Sequence, residues 1–276
     1  MSAPPVSRRK VLATFGGMLA GLAALPLAKW IKGKFVKRIA PSGYDPYDHK
    51  WLMCIDVDKC IGCGLCADAC KKENHVPEAS HYFRTWIERY IIKKPESGEL
   101  TSRGEVLVDS PNGGRGGFPP TTVPKEDILK SFFVPKLCNL CVDSPCTQVC
   151  PVGATFDAPD GAVLVDPTYC IGCGFCIQAC PYGCRFFTPE TPETKADGTA
   201  GTAQKCTLCY HRITRGLQPA CVEICPTQAR VFGDLKHPVE NDPLQAFVQN
   251  NKVNTLKPHL GTNPRLLYAN IDKEVR

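Results

Sequence analysis

Sixteen of the eighteen cysteines fall into four groups of four, and their spacing is what carries chemistry. Numbered in chain order, quartet I (Cys60, Cys63, Cys66, Cys70) reads C-x2-C-x2-C-x3-C, and quartet II (Cys138, Cys141, Cys146, Cys150) reads C-x2-C-x4-C-x3-C before Pro151. Quartet III (Cys170, Cys173, Cys176, Cys180) repeats the first spacing before Pro181, and quartet IV (Cys206, Cys209, Cys221, Cys225) reads C-x2-C-x11-C-x3-C before Pro226. Thiolates at such density serve iron–sulfur clusters, zinc or disulfides. Fourfold repetition of C-x2-C with a later cysteine and a proline is not a disulfide pattern, and zinc ribbons do not need the third cysteine two residues on. The histidines at 49, 75, 81, 211, 237 and 259 do not fit Rieske ligation, and Cys206-Thr-Leu-Cys209-Tyr210-His211 misses the C-x-x-C-H haem motif by one residue, which leaves His211 as a polar loop residue.

Quartets II and III, at their separation, resemble the bacterial ferredoxin signature, in which three cysteines of one run hold one [4Fe-4S] cube and the fourth reaches across to the other. Two-residue gaps let three thiolates converge from a tight loop, and the next helical turn directs the fourth away. The resemblance implies Cys138, Cys141, Cys146 with Cys180 at one cube and Cys170, Cys173, Cys176 with Cys150 at the next. The stretch DKCIGCGLC at Asp58–Cys66 echoes TYCIGCGFC at Thr168–Cys176, so the chain reads as two duplicated modules. With the middle quartets adjacent, the outer two pair by elimination: Cys60, Cys63, Cys66 with Cys225, and Cys206, Cys209, Cys221 with Cys70. The expected fold class is α+β, two bacterial-ferredoxin-like 2[4Fe-4S] modules (I+IV and II+III) with inserted strands and loops, carrying four [4Fe-4S] clusters.

The elements that must position these residues are short. Residues 39–50 form a Pro/Gly/Asp linker, and Trp51–Asp58 reads as a strand feeding quartet I, with Cys54 in it as a free buried thiol. Strands are expected over His81–Lys93, Glu105–Asp109, Phe132–Val134 and Val163–Val165. The glycine-rich loop at 111–120 is either a docking surface for a catalytic partner or a surface hairpin. Residues 188–203 read as a low-complexity excursion with nothing to bury, and 234–276 as a polar tail with four prolines wrapping the outside. The resulting division is 1–38 leader, 39–137 first motif plus insertion, 138–187 central module, 188–233 fourth motif, and 234–276 tail.

Glycines at 62, 64, 172 and 174 let the loops wrap sulfur closely, while Lys59, Lys136 and Lys205, next to or near first ligands, are expected to raise cluster potentials modestly if they approach a cube. Cys184 either packs near a cube or is a plain buried thiol. With only 8% aromatic residues, the clusters are expected to act as the core and the apo form to be largely unfolded.

The formal charge of +6 is concentrated at one end. Residues 1–38 hold eight Lys or Arg and no acid, whereas residues 39–276 hold 25 basic and 27 acidic side chains, which removes the electrostatic argument for nucleic-acid binding. Ser7-Arg8-Arg9-Lys10 before the uncharged run Val11–Ala28 looks like a twin-arginine export signal, with Val11 where Phe is usual; the other reading is a plain membrane anchor with a basic flank. That export route carries folded cargo, as a protein whose clusters are built before export requires. The run ends in no clean cleavage site and has the length of a bilayer span, so the segment is either removed or kept as an anchor. Periplasmic localisation is the expectation, with membrane association through partners.

Over residues 50–235 the quartets, their gaps, the Cys-Pro endings and the leader resemble the four-cluster electron-transfer subunits of periplasmic respiratory oxidoreductases. These include the iron–sulfur subunits of polysulfide, thiosulfate and tetrathionate reductases, the electron-transfer protein of cytochrome c nitrite reductase, and exported ferredoxin-like subunits of sulfur-metabolism complexes. The resemblance implies a non-catalytic wire between a polytopic quinone-interacting membrane subunit and a catalytic molybdopterin or multihaem cytochrome c subunit. All sixteen positions are Cys, where nitrate-reductase-type relatives place a Trp, so four cubanes are expected. Formate-dehydrogenase and hydrogenase-type relatives carry a C-terminal membrane helix that this sequence lacks. The alternatives are an exported protein whose clusters are structural or redox-sensing, and an enzyme with an open iron site, for which sixteen cysteines leave no vacancy.

Overall fold

The computed structural model describes residues 40–95 and 104–275; the leader with Arg8 and Arg9 lies outside the described residues. Among those described, no helix is long and apolar enough to cross a membrane.

The fold is mixed α+β, built on a four-stranded sheet. Strand β1 (Trp51–Asp56) is buried along its whole length, because both faces are covered. Trp51, Met53 and Ile55 face the main core, while Leu52 and Cys54 pack with Leu244, Phe247 and Ala269 on the other side. Its period of two therefore separates two apolar faces rather than an apolar face from a polar one.

Nine-residue β2 (Thr85–Lys93) is the centre of a second, antiparallel sheet, flanked by β3 (Val106–Asp109) and β4 (Ile128–Leu137). Tyr90 and Phe132 sit directly opposite each other and stack at 5.4 Å, the cross-strand pairing that fixes register. The strand expected from His81 starts only at Thr85, and the one expected over Phe132–Val134 runs for ten residues.

The cysteine loops lead into short helices: α1 (Leu65–Glu73), which carries Cys66 and Cys70 of quartet I, α2 (Pro145–Gln148) in quartet II, and α3 (Phe175–Gln178) in quartet III. Between α2 and α3 lies the hairpin β5 (Thr155–Asp157) and β6 (Val163–Val165). A two-stranded pair, β7 (Phe186–Phe187) and β8 (Ala203–Gln204), brackets α4 (Pro192–Ala196). Quartet IV is carried by α5 (Tyr210–Ile213) and α6 (Ala220–Glu223), and β9 (Arg230–Asp234) returns antiparallel along β1. Helix α1 packs on α6 and α2 on α3, so each of the two helix pairs joins one early and one late quartet.

Three expectations are corrected. Residues 234–276 do not wrap the outside: after α7 (Pro243–Asn250) and β10 (Val253–Asn254), β11 (Leu266–Ala269) enters the main sheet parallel to β1, pairing Met53 with Leu266 and Ile55 with Tyr268. Leu266, Tyr268 and Ala269 are fully buried, and the Tyr268 hydroxyl donates to the Pro135 carbonyl at 3.0 Å. Nor is 188–203 empty of burial. Thr188, Thr194 and Thr202 are buried with their hydroxyls bonded inside the segment, and Thr191 with Thr194 forms a capping box that starts α4. The clusters are also not the sole core, since Met53, Ile55, Val134, Leu137, Leu164 and Tyr268 are buried among the cysteines in one apolar body.

Candidate iron–sulfur sites

All four C-x2-C loops share one backbone device. The residue before the second cysteine lies in the left-handed region: Gly62 (φ 70°), Leu140 (49°), Gly172 (68°) and Leu208 (57°). The reversal turns backbone N–H groups toward sulfur, as in the Leu208 N–H to Cys206 Sγ bond of 3.4 Å. Leu140 and Leu208 hold this conformation without glycine's freedom because their side chains are locked in the core.

Close approach adds a second constraint at Gly64 and Gly172. A Cβ on Gly64 would sit 1.9 Å from the Gly114 carbonyl oxygen, and one on Gly172 would sit 2.8 Å from that of Gly201. The glycine-rich loop at 111–120 thus roofs the quartet I loop, where Arg115 is ion-paired with Asp68 of α1 and, at 3.0 Å, with Glu78. The threonine-rich segment does the same for quartet III, and the Ala203 N–H donates to Cys170 Sγ at 3.3 Å.

The structure brings three cysteines of each run together with one from another run. Cys60, Cys63 and Cys66 line a small cavity with Cys225; Cys206, Cys209 and Cys221 line another with Cys70; Cys170, Cys173 and Cys176 line a third with Cys150. Cys141 lies in the field of Cys138, Cys146 and Cys180. No disulfide joins any of them. Burial pushes several of the thiols up, Cys60 to about 11 and Cys141 and Cys221 to about 12, so a bound metal must displace protons to recruit these, whereas the hydrogen bond with Cys184 brings Cys180 down to about 5.

Buried cations test whether anionic clusters fit. Arg185 Nη2 donates to Cys146 Sγ at 3.0 Å and to Thr155 Oγ1 at 2.7 Å; Arg230 Nη2 donates to Cys66 Sγ at 3.3 Å and to Thr85 Oγ1 at 2.8 Å. Both are buried, and Nε and Nη1 of Arg185 and Nη1 of Arg230 have no partner. Orphaned guanidinium donors beside four-cysteine groups fit an anion seated among the sulfurs. Asn74 adds a further polar contact, its Nδ2 lying 3.5 Å from Cys70 Sγ and 3.7 Å from Cys209 Sγ, while its Oδ1 accepts from Arg84.

The three lysines expected to act on the clusters have other partners. Lys59 pairs with Asp56 at 3.7 Å, Lys136 with Glu88 at 3.4 Å, and Lys205 donates to the carbonyls of Val163 and Cys206. Lys205 nevertheless lies in the field of Cys146 and Cys206, and it is the arginines that donate directly to sulfur. A signal for them is present in the letters: Arg185 and Arg230 each stand five residues after the fourth cysteine of quartets III and IV, in Cys180-Pro-Tyr-Gly-Cys-Arg185 and Cys225-Pro-Thr-Gln-Ala-Arg230.

Of the two cysteines outside the quartets, Cys54 is buried under α7, where burial pushes its thiol up to about 12. Cys184 is both buried and close to the site: its thiol donates to the Leu137 carbonyl, next to Cys138, at 3.1 Å. His211 lies in α5 rather than a loop, 2.6 Å from Glu73 at the end of α1.

Residues 129–235 match the family model of a 4Fe-4S dicluster domain and residues 53–73 that of a 4Fe-4S binding domain, ranges that together contain all sixteen cysteines. The chain is 35% identical over 267 residues to a tetrathionate reductase subunit of Salmonella typhimurium, covering 96% of this chain and 89% of the relative. It is 40% identical over 222 residues to a tetrathionate reductase subunit of Archaeoglobus fulgidus (80% and 83% covered). With the arsenate respiratory reductase iron–sulfur subunit ArrB of a Shewanella species it shares 33% identity over 255 residues (78% and 94% covered). The chain belongs to this family of [4Fe-4S] ferredoxin-like, non-catalytic electron-transfer subunits of oxidoreductase complexes.

Proposed function

We propose that the chain holds four [4Fe-4S] clusters and relays electrons between a quinone-reactive membrane subunit and a periplasmic catalytic (molybdopterin) or multihaem subunit of a respiratory complex, reached by twin-arginine export through Arg8 and Arg9. The observation that carries this reading is the crossing of fourth cysteines, Cys225 to quartet I, Cys70 to IV and Cys150 to III, with Cys180 near II. Bound there, such clusters supply one-electron carriers. Shared arginines and neighbouring thiols link the four groups into a row in the order III, II, IV, I. Arg185 lies in the field of both Cys146 and Cys176, Arg230 in that of both Cys66 and Cys221, and Cys206 is within the field of Cys138.

Both ends of that row reach the surface beside apolar side chains. Ile171 (63% exposed) and Phe175 flank exposed Cys173 at one end, and Ile61 (59% exposed) and Leu65 flank quartet I at the other. Two such patches suit two partners, one giving and one taking electrons. The test is iron and acid-labile sulfide content of anaerobically purified protein, with an electron paramagnetic resonance redox titration of the same sample. About sixteen irons per chain and four reducible, coupled centres are expected. Cys225→Ser should abolish the centre of Cys60, Cys63 and Cys66 and spare that of quartets II and III; markedly fewer irons in the unmutated protein, or zinc in their place, refutes the reading.

A further inference from the structure

Two buried arginines occupy equivalent positions in the two halves of the molecule. Each lies five residues beyond a fourth cysteine, each donates through Nη2 to the third cysteine of the partner quartet, and each is aimed by a threonine hydroxyl on that same nitrogen. The threonines are equivalent too: Thr155 opens the strand after quartet II, and Thr85 opens the strand after quartet I. Neither arginine forms an ion pair with a carboxylate among the described residues, and three of their nitrogens have no partner. A buried guanidinium without a counter-ion is strongly unfavourable, so a residue kept there twice answers to a charge that the sulfur groups acquire. The facing groups identify which charge. Arg185 acts on Cys146, Cys138 and Cys176, spanning quartets II and III; Arg230 acts on Cys66, Cys221 and Cys60, spanning quartets I and IV.

Resting on the four-cluster reading above, we propose that Arg185 and Arg230 are potential-setting residues, each a fixed cation shared by the two clusters of its module. Reduction adds one electron from the donor subunit to a cluster and makes it more negative by one charge; the arginine carries its positive charge in both states, so no proton need follow. The shared cation favours the reduced form of either cluster in its module. It also leaves the other module almost untouched, because the field is local. The threonine hydroxyls hold the guanidinium against sulfur and are positioning residues.

The test is a redox titration, followed by electron paramagnetic resonance, of the full chain carrying Arg185→Gln or Arg230→Gln. Each variant should shift two of the four midpoints downward by at least tenfold in the reduction equilibrium constant, about 59 mV for one electron. R185Q should shift the pair held by quartets II and III, and R230Q the pair held by I and IV, while Arg→Lys recovers part of the shift. Full iron content with unchanged midpoints overturns the proposal, as does an equal shift of all four. If a Gln variant does not retain iron, Thr155→Val and Thr85→Val keep the cation and every cysteine. Smaller downward shifts confined to the corresponding pair then support the proposal, and unchanged midpoints in both overturn it. Failure of the underlying reading is separate: it shows as an iron deficit in the unmutated protein.

Discussion

Replacing Gly64 by Ala isolates the contact between the glycine-rich roof and the first cysteine loop. Gly64 has φ +79°, where an L residue is strained by about 1–2 kcal/mol, partly offset by the lower entropy of the unfolded alanine chain. Gly116, at φ +72° with open space around it, has that strain alone, so Gly116→Ala should cost about 1 kcal/mol. At Gly172 the added carbon would lie 2.8 Å from a carbonyl oxygen; relief needs a retreat of about 0.5 Å, and the cost should rise to about 2 kcal/mol. At Gly64 the distance is 1.9 Å, so the Gly114 carbonyl must withdraw by about 1.4 Å. Gly114 is buried against Ile87, and Arg115 beside it is tied to Asp68, so that withdrawal breaks packing and an ion pair together. A total of about 4 kcal/mol is expected, felt at the loop that carries Cys60 and Cys63. Anaerobic denaturant titrations of the three variants, followed by the visible absorbance of the clusters and by iron per chain, should rank Gly116→Ala, Gly172→Ala and Gly64→Ala in rising order of damage. A Gly64→Ala protein with the iron content and bleaching midpoint of Gly116→Ala would refute the reasoning.

Other consequences can be measured independently. Leu266→Ala, at a fully buried position of β11, should cost about 2–5 kcal/mol in the same titration, whereas an outer tail would tolerate it within about 0.5 kcal/mol. Arg115→Ala should release the roof at a cost of about 1 kcal/mol, read as faster proteolytic cutting within 111–120 with iron retained. Hydrogen bonds from His211, then the charge of Arg212, hold the Glu73 carboxyl below its ordinary range. A depressed carboxylate stabilises above its unfolded value of 4.5, and that contribution disappears as pH falls through the folded value. Glu73→Gln should therefore be less stable than the parent near neutrality, and the gap should close below pH 4.5; a gap independent of pH would contradict the assignment. Chelating away the iron should leave guanidinium and thiol groups buried without counter-charge, and the far-ultraviolet circular dichroism should collapse.

The cysteine groups were legible because their meaning is local: two-residue gaps fix a loop whatever surrounds it, and all four loops share the reversal at 62, 140, 172 and 208. Strand β6 was legible for the same reason, as a short apolar run between turns. What sequence could not show depends on distant partners. The letters LLYA at 266–269 are a weak strand signal, and only the open side of β1, over two hundred residues earlier, makes them core. Thr188, Thr194 and Thr202 look like surface composition until their hydroxyls are seen bonded to carbonyls of their own segment. The lysines were chosen by adjacency in sequence, yet their amino groups bond carboxylates and carbonyls; Arg185 and Arg230 reach the cysteines from other runs.

Strand β1 lies between β9 and β11, and Arg230 meets Cys66 across 164 residues. On the ribosome, quartets II and III and their hairpin can come together once about 187 residues have emerged, while quartet I still waits for Cys225. Until β9 and then β11 arrive, β1 is an apolar strand with two open edges, the kind of surface that chaperones shield. Every quartet cysteine lies upstream of Pro226, so the ligand set is finished some forty residues before the sheet is. Arrival of Leu266–Ala269, rather than of the final cysteine, is thus the event that closes the sheet, and a nascent chain short of it would hold its full complement of ligands on an unfinished frame.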